Sequence, residues 1–148
     1  MNEPCLFFDG ASKGNPGLAR CGGVITEANG TVLSNYSWGL GIESHNKAEL
    51  CGLLQGLRIA LSKGIANLSV YGDSRLLIQA LREKRPSHLQ LAQIYQKICL
   101  LSKKFQSIRF FHVLRALNSM ADKAANQGTL LGRGILHKDG VDIRCDIP

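Results

Sequence analysis

Four carboxylates stand where elements of the chain start or stop. Asp9 closes the apolar run in "CLFFDGASKGNPG", Asp73 follows "NLSVYG", Glu49 falls in the first turns of an apolar-periodic segment, and Asp122 falls early in the last one. Each has an ordinary structural use. Asp73 could cap a helix starting at Ser74, and Glu49 and Asp122 would favour the positive ends of theirs. Those uses leave unexplained why Asp9 and Asp73 both end β-runs at the carboxyl side, where ligand sites gather in open α/β sheets. If the two helices with early acids pack on those ends, four carboxylates converge. Such a cluster persists only by protonating or by holding a hard cation. Oxygen-only ligands indicate Mg²⁺ or Mn²⁺ rather than zinc. Two such ions about 3.5–4 Å apart clamp the attacking and leaving oxygens of an in-line phosphoryl displacement.

The elements that must position these acids follow from periodicity. Residues 4–9 read as a strand ending at Asp9 and followed by a Gly/Pro loop, and 21–27 and 31–38 as two strands joined by the hairpin signal Asn29-Gly30. Helical spacing of Leu50, Leu53, Leu54, Leu57, Ala60 and Leu61 predicts a helix over 44–63, with Gly64 placed to close it. A strand over 67–72 precedes a helix that Pro86 ends, and a second long helix is expected from His88 to Lys104. "SIRFFHV" reads as a strand, residues 119–127 as a final helix, and the order is β-β-β-α-β-α-α-β-α, an α/β chain.

The 148 residues carry a net charge of +7. No acid lies between Lys84 and Ala121, where Lys84, Arg85, Lys97, Lys103, Lys104, Arg109 and Arg115 are concentrated. A face of one sign is an electrostatic footprint for a polyanion, nucleic acid first. The five cysteines are scattered without a CxxC pair, which suggests neither a zinc site nor a disulfide framework and fits a reducing compartment. "GASKGNPG" fails the GxxxxGK[ST] pattern of a nucleotide P-loop. His88 and His137 lack partners at metal spacing and read as surface residues. No run is apolar enough to cross a membrane, and the N-terminal residues Asn2 and Glu3 do not begin a secretion signal.

At this point the motifs resemble those of the type 1 ribonuclease H family. "DGASKGNPG" with Asp9 resembles its opening motif, "NKAELCGLLQGLRIAL" with Glu49 its long first helix, and "YGDS" with Asp73 its next strand end. "HVLRALNSMADKAAN" with Asp122 is similar to the closing motif of the shorter archaeal-like and plant-type members. The matches come in family order and span residues 6–126.

The resemblance implies a ribonuclease H-like α/β fold, a five-stranded mixed sheet in order 3-2-1-4-5 with helices on both faces, over residues 1–128. Residues 129–148 are expected as a surface tail, with a small hairpin near Asp139 and Gly140. It implies an endonuclease that cuts the RNA strand of an RNA/DNA hybrid with two Mg²⁺ ions, Mn²⁺ being able to substitute, and leaves 5′-phosphate ends. Asp9 would bridge both ions, Glu49 and Asp73 would complete one site, and Asp122 the other. Substrate contacts fall to Ser12, Gly14, Asn15 and Asn46 near the minor groove, where the 2′-hydroxyl distinguishes RNA. Lys103, Lys104 and Arg115 would grip phosphates.

The chain also departs from the family. A loop histidine used as a proton shuttle is missing, since His112 reads as a strand residue. His45 and Arg75 replace the Asn and Gln common at their positions, and the basic protrusion of longer members is absent. Two other activities compete: a catalytically weak nucleic-acid-binding module, and a DNA-directed nuclease of the same fold. A monomer inside the cell is expected, its compartment unspecified.

Overall fold

The computed structural model describes residues 3–85 and 91–148. Its elements are β1 (Cys5–Gly14), β2 (Gly17–Thr26), β3 (Val32–Glu43), α1 (His45–Ser62), β4 (Asn67–Gly72), α2 (Arg75–Glu83), α3 (Ala92–Ser102), β5 (Ser107–His112), α4 (Ser119–Gln127), β6 (Ile135–Lys138) and β7 (Val141–Arg144). They form one mixed sheet in the order β5-β4-β1-β2-β3-β6-β7. The expected 3-2-1-4-5 arrangement makes up five consecutive strands of it, from β5 at one edge to β3. The expected count of five is corrected to seven: β6 and β7, turning at Asp139-Gly140, pair antiparallel onto β3 and extend the sheet. Leu136 is buried, and the Trp38 indole donates to the Cys145 carbonyl, so this segment also covers part of the core.

The alternation of β1 to β3 sends Leu6, Phe8, Cys21, Ile25, Tyr36, Trp38 and Leu40 to one face, where Leu53, Leu54 and Leu57 of α1 and Ile94 and Ile98 of α3 meet them. Each such side chain contributes about 1.5–3 kcal/mol on full burial. The opposite face receives α4. There Gly22 is required, because a Cβ on it would lie 2.6 Å from the Tyr36 carbonyl oxygen and 2.7 Å from the Ala124 backbone. The Ser37 hydroxyl donates to the Ala124 carbonyl and ties the same helix to β3.

Helix ends follow local chemistry. Ser44 caps α1 by accepting from the Lys47 N–H at 3.2 Å, and Gly64 closes it with φ +74°. Ser74 caps α2 by accepting from the Leu77 N–H at 3.3 Å. That capping bond leaves the neighbouring Asp73 carboxylate available for other work. Helix α3 is shorter than expected; His88 and Pro86 lie outside the described residues.

Candidate active site

The expectation that β1 stops at Asp9 is corrected. Asp9 is the fifth residue of a ten-residue strand, and Gly10–Gly14 continue it into a hairpin with β2 that turns at Asn15 and Pro16. The position relative to the parallel half of the sheet is nonetheless a strand end. Pairing between β1 and β4 runs Cys5↔Ser69, Leu6↔Val70 and Phe7↔Tyr71 and then stops, while β1 goes on with β2 alone. Asp9 thus sits in a notch beside the residue that follows β4, which is Asp73.

Glu49 reaches the notch from α1. The helix packs close because Gly10 has no side chain: a Cβ there would lie 2.3 Å from the Ala48 carbonyl. One oxygen each from Asp9, Glu49 and Asp73 lie within 4.8 Å of one another, the one metal-ligand cluster of this kind among the described residues. Asp9 is 7% and Glu49 3% exposed. Burial pushes the Asp9 carboxyl from 3.8 up to about 7, with the Asp73 charge adding and the Gly10 N–H, donating to Oδ1 at 2.9 Å, opposing. Contact with Asp122 and its charge raise it further. Burial and then the Asp9 and Asp73 charges hold the Glu49 carboxyl well above the ordinary range. Its Oε1 is 3.6 Å from His45 Nε2, whereas Oε2 is buried with no hydrogen-bond partner in the structure. A buried carboxylate oxygen without a donor, among repelling acids, fits a hard divalent cation in both charge and ligand type.

Asp122 stands outside the closest trio. It lies against Asp9 from α4, half-buried, with Arg115 Nη2 4.0 Å from Oδ1 and Asn126 Nδ2 3.4 Å from Oδ2. All four expected carboxylates therefore gather beside the carboxyl end of β4, where the pairing of β1 with β4 has stopped.

The remaining expected contacts divide. Ser12, Gly14 and Asn15 lie in the β1–β2 hairpin; the Ser12 hydroxyl donates to the Gly14 carbonyl, and Asn15 Oδ1 accepts the His45 N–H at 3.1 Å. That bond links the hairpin tip to the start of α1, where Asn46 is exposed. Arg115 is 83% exposed beside Asp122. Lys103 and Lys104 follow α3 and precede β5, at the opposite end of the sheet. The six residues of β5, at about 3.3 Å each, put roughly 20 Å between them and the carboxylates. His112 is the last residue of β5, paired with Gly72 and half-buried, as a strand residue should be.

Asn118 is the functional residue that sequence reasoning passed over as part of a connection. It is 1% exposed, and its amide donates to the Phe8 carbonyl at 2.9 Å and to Asp73 Oδ2 at 3.0 Å. One side chain so fixes Asp73 against the strand that carries Asp9. The available signal was an Asn one helical turn before Asp122, at the start of α4. Among the thiols, Cys21 and Cys51 are buried, and burial pushes the Cys51 thiol up to about 12, which leaves it protonated and inert.

The model of the reverse transcriptase-like family matches residues 7–128. The chain is 35% identical over 120 residues to a bifunctional protein of Mycobacterium tuberculosis, which covers 80% of this chain and 33% of that one. It is 31% identical over 124 residues to ribonuclease HI of Halobacterium salinarum, covering 82% and 61%. The chain spans about a third of the mycobacterial relative's length. Among solved structures, the N-terminal RNase H domain of that mycobacterial protein superposes with TM-score 0.82 at 32% identity, covering 87% of this chain and 94% of that chain. RNase H1 of Halobacterium salinarum superposes with TM-score 0.80 at 30% identity, covering 85% and 96%. LC11-RNase H1, solved in complex with an RNA/DNA hybrid, superposes with TM-score 0.80 at 26% identity, covering 86% and 96%.

Proposed function

Because the chain belongs to the type 1 ribonuclease H family, within the reverse transcriptase-like proteins, we propose that it hydrolyses the RNA strand of RNA/DNA hybrids with the help of Mg²⁺. The observation that carries this reading is the convergence of Asp9, Glu49 and Asp73, one oxygen of each within 4.8 Å of the others, together with a buried Glu49 oxygen that no donor satisfies. Asp9, Glu49, Asp73 and Asp122 would hold a pair of Mg²⁺ ions, with Mn²⁺ able to substitute. When bound, such a pair supplies a nucleophilic water and neutralises charge in an in-line phosphoryl displacement.

The chain's own groups do the rest. Asn118 keeps Asp73 turned toward Asp9, and the Gly10 N–H fixes one Asp9 oxygen, so the acids are in place before substrate arrives. The hairpin carrying Ser12, Gly14 and Asn15, tied to the α1 start at His45, presents polar groups to a minor groove, with Asn46 beside it. The 2′-hydroxyl there is what separates RNA from DNA. Arg115, projecting into solvent next to Asp122, suits a phosphate. Half-buried in β5, His112 has no part in proton transfer in this scheme, and the leaving 3′-oxygen takes its proton from solvent.

Incubation of the protein with end-labelled hybrid and Mg²⁺ tests the reading. RNA-strand cleavage ending in 5′-phosphates is expected, lost with EDTA and lost in Asp9→Asn. Wild-type protein that leaves the RNA intact, cleavage of plain DNA instead, or an Asp9→Asn variant of full activity overturns it.

A further inference from the structure

We infer that Arg20 and Asn126 form a positioning pair that aims Asp122 at its cation, resting on the reading of Asp122 as a metal ligand. Arg20, on β2, donates to Asn126 Oδ1 twice, from Nε at 3.3 Å and from Nη2 at 2.9 Å. With its oxygen held by a guanidinium fork, the Asn126 amide has only its NH₂ left for the other side. That group faces Asp122 Oδ2 at 3.4 Å. The orientation of the amide is thus dictated by Arg20, and the rotation of the Asp122 carboxylate by the amide.

The arrangement supplies what Asp122 otherwise lacks. Asp73 is fixed by a buried donor, Asn118, and Asp9 by a backbone N–H, but Asp122 is half-buried on α4, and Arg115 stands 4.0 Å from its other oxygen. A carboxylate engaged on Oδ2 is left with Oδ1 as its freer oxygen. Arg20 is itself placed by the sheet: it pairs with Ala11, two positions along β1 from Asp9, and with Gly39 on β3. The pair therefore couples α4 to the strands that carry the site. Partners that orient metal-ligating carboxylates typically govern affinity by about 10- to 100-fold, and solvent exposure of this pair places it at the low end.

The test is a double-mutant cycle on the intact chain, read by Mn²⁺ binding in electron paramagnetic resonance and, separately, by hybrid cleavage. Asn126→Ala and Arg20→Gln are each expected to weaken Mn²⁺ binding about 10-fold. The double variant should be no weaker than the weaker single, because Arg20 acts only through Asn126. Cleavage should lose kcat with KM for hybrid unchanged, and Gln127→Ala, exposed on the same helix, should match wild type in both. Melting temperatures without metal should stay near the wild-type value, since Asn126 is exposed and Arg20 only half-buried. Additive losses, wild-type Mn²⁺ affinity in either single variant, or an Arg20→Gln effect confined to KM for hybrid would overturn the pairing. A wild type that binds Mn²⁺ yet spares the hybrid would sink the proposed function while leaving the Mn²⁺ cycle as the judge of this pair.

Discussion

Replacing Asp9 by Asn should abolish hybrid cleavage and, in the absence of metal, make the protein more stable. The second effect follows from the electrostatics of the notch. Asp9 is 7% exposed and its carboxyl is raised from 3.8 to about 7, first by burial and then by the Asp73 charge. For an acid raised on folding, the native state favours the protonated form. Stability is full below pH 3.8 and lost progressively as pH rises to about 7. At 1.36 kcal/mol per pH unit, Asp9 costs the metal-free fold about 4 kcal/mol above pH 7 and less than half of that at pH 5. Asn keeps the shape and the oxygen that accepts the Gly10 N–H, and removes the charge. Urea denaturation in EDTA should therefore find Asp9→Asn more stable than wild type by about 4 kcal/mol at pH 8, the gap narrowing to less than half of that at pH 5. Adding Mg²⁺ at pH 8 should raise wild-type stability and leave the variant nearly unmoved. Equal or lower stability of Asp9→Asn at pH 8 without metal would refute the account of a self-repelling, cation-seeking cluster.

Other outcomes follow from the same geometry. Asn118→Ala leaves the Phe8 carbonyl and Asp73 without their buried donor; chemical denaturation should show a loss of about 1–3 kcal/mol, and the hybrid assay a fall in kcat. Gly22→Ala drives a methyl into the Tyr36 carbonyl and the α4 backbone, at a cost of about 1–3 kcal/mol in thermal melts, and displaces Asp122 so that Mn²⁺ affinity falls as well. His112→Ala should leave the slope of kcat against pH as in wild type, since no proton is routed through that strand residue. Hybrid binding measured in EDTA should persist, weaken linearly in log salt, and respond more to Arg115→Ala than to Lys103→Ala, because Lys103 lies about 20 Å from the notch.

Much of the site was legible because its residues mark element boundaries. A strand's last apolar residue, a helix cap and a glycine each leave a local signature, so Asp73 after "NLSVYG" and Glu49 within α1 could be placed from the chain alone. The extent of β1 could not, because glycines and a proline signal a loop unless the partner strand is known. Gly10–Lys13 stay extended because β2 pairs with them residue for residue. Asn118 escaped notice for a related reason: its work is done for Phe8 and Asp73, far away in sequence. The seven-strand sheet was hidden likewise. The hairpin at Asp139-Gly140 has a local signal, whereas its docking on β3 depends on Trp38 and Leu136 meeting across the fold.

That docking separates two ideas of a unit. The family model's match ends at residue 128, but the sheet goes on past it. A chain cut after Gly128 would lose the cover over Trp38, and the thiol that accepts from Gln55 Nε2 at 2.8 Å would go with it. The freed flank of β3 would offer unpaired amides and carbonyls to any passing strand. Shortened versions would sooner clump than misfire: their shortfall would show in sedimentation before it showed in turnover, although the hairpin contributes no residue to the catalytic notch.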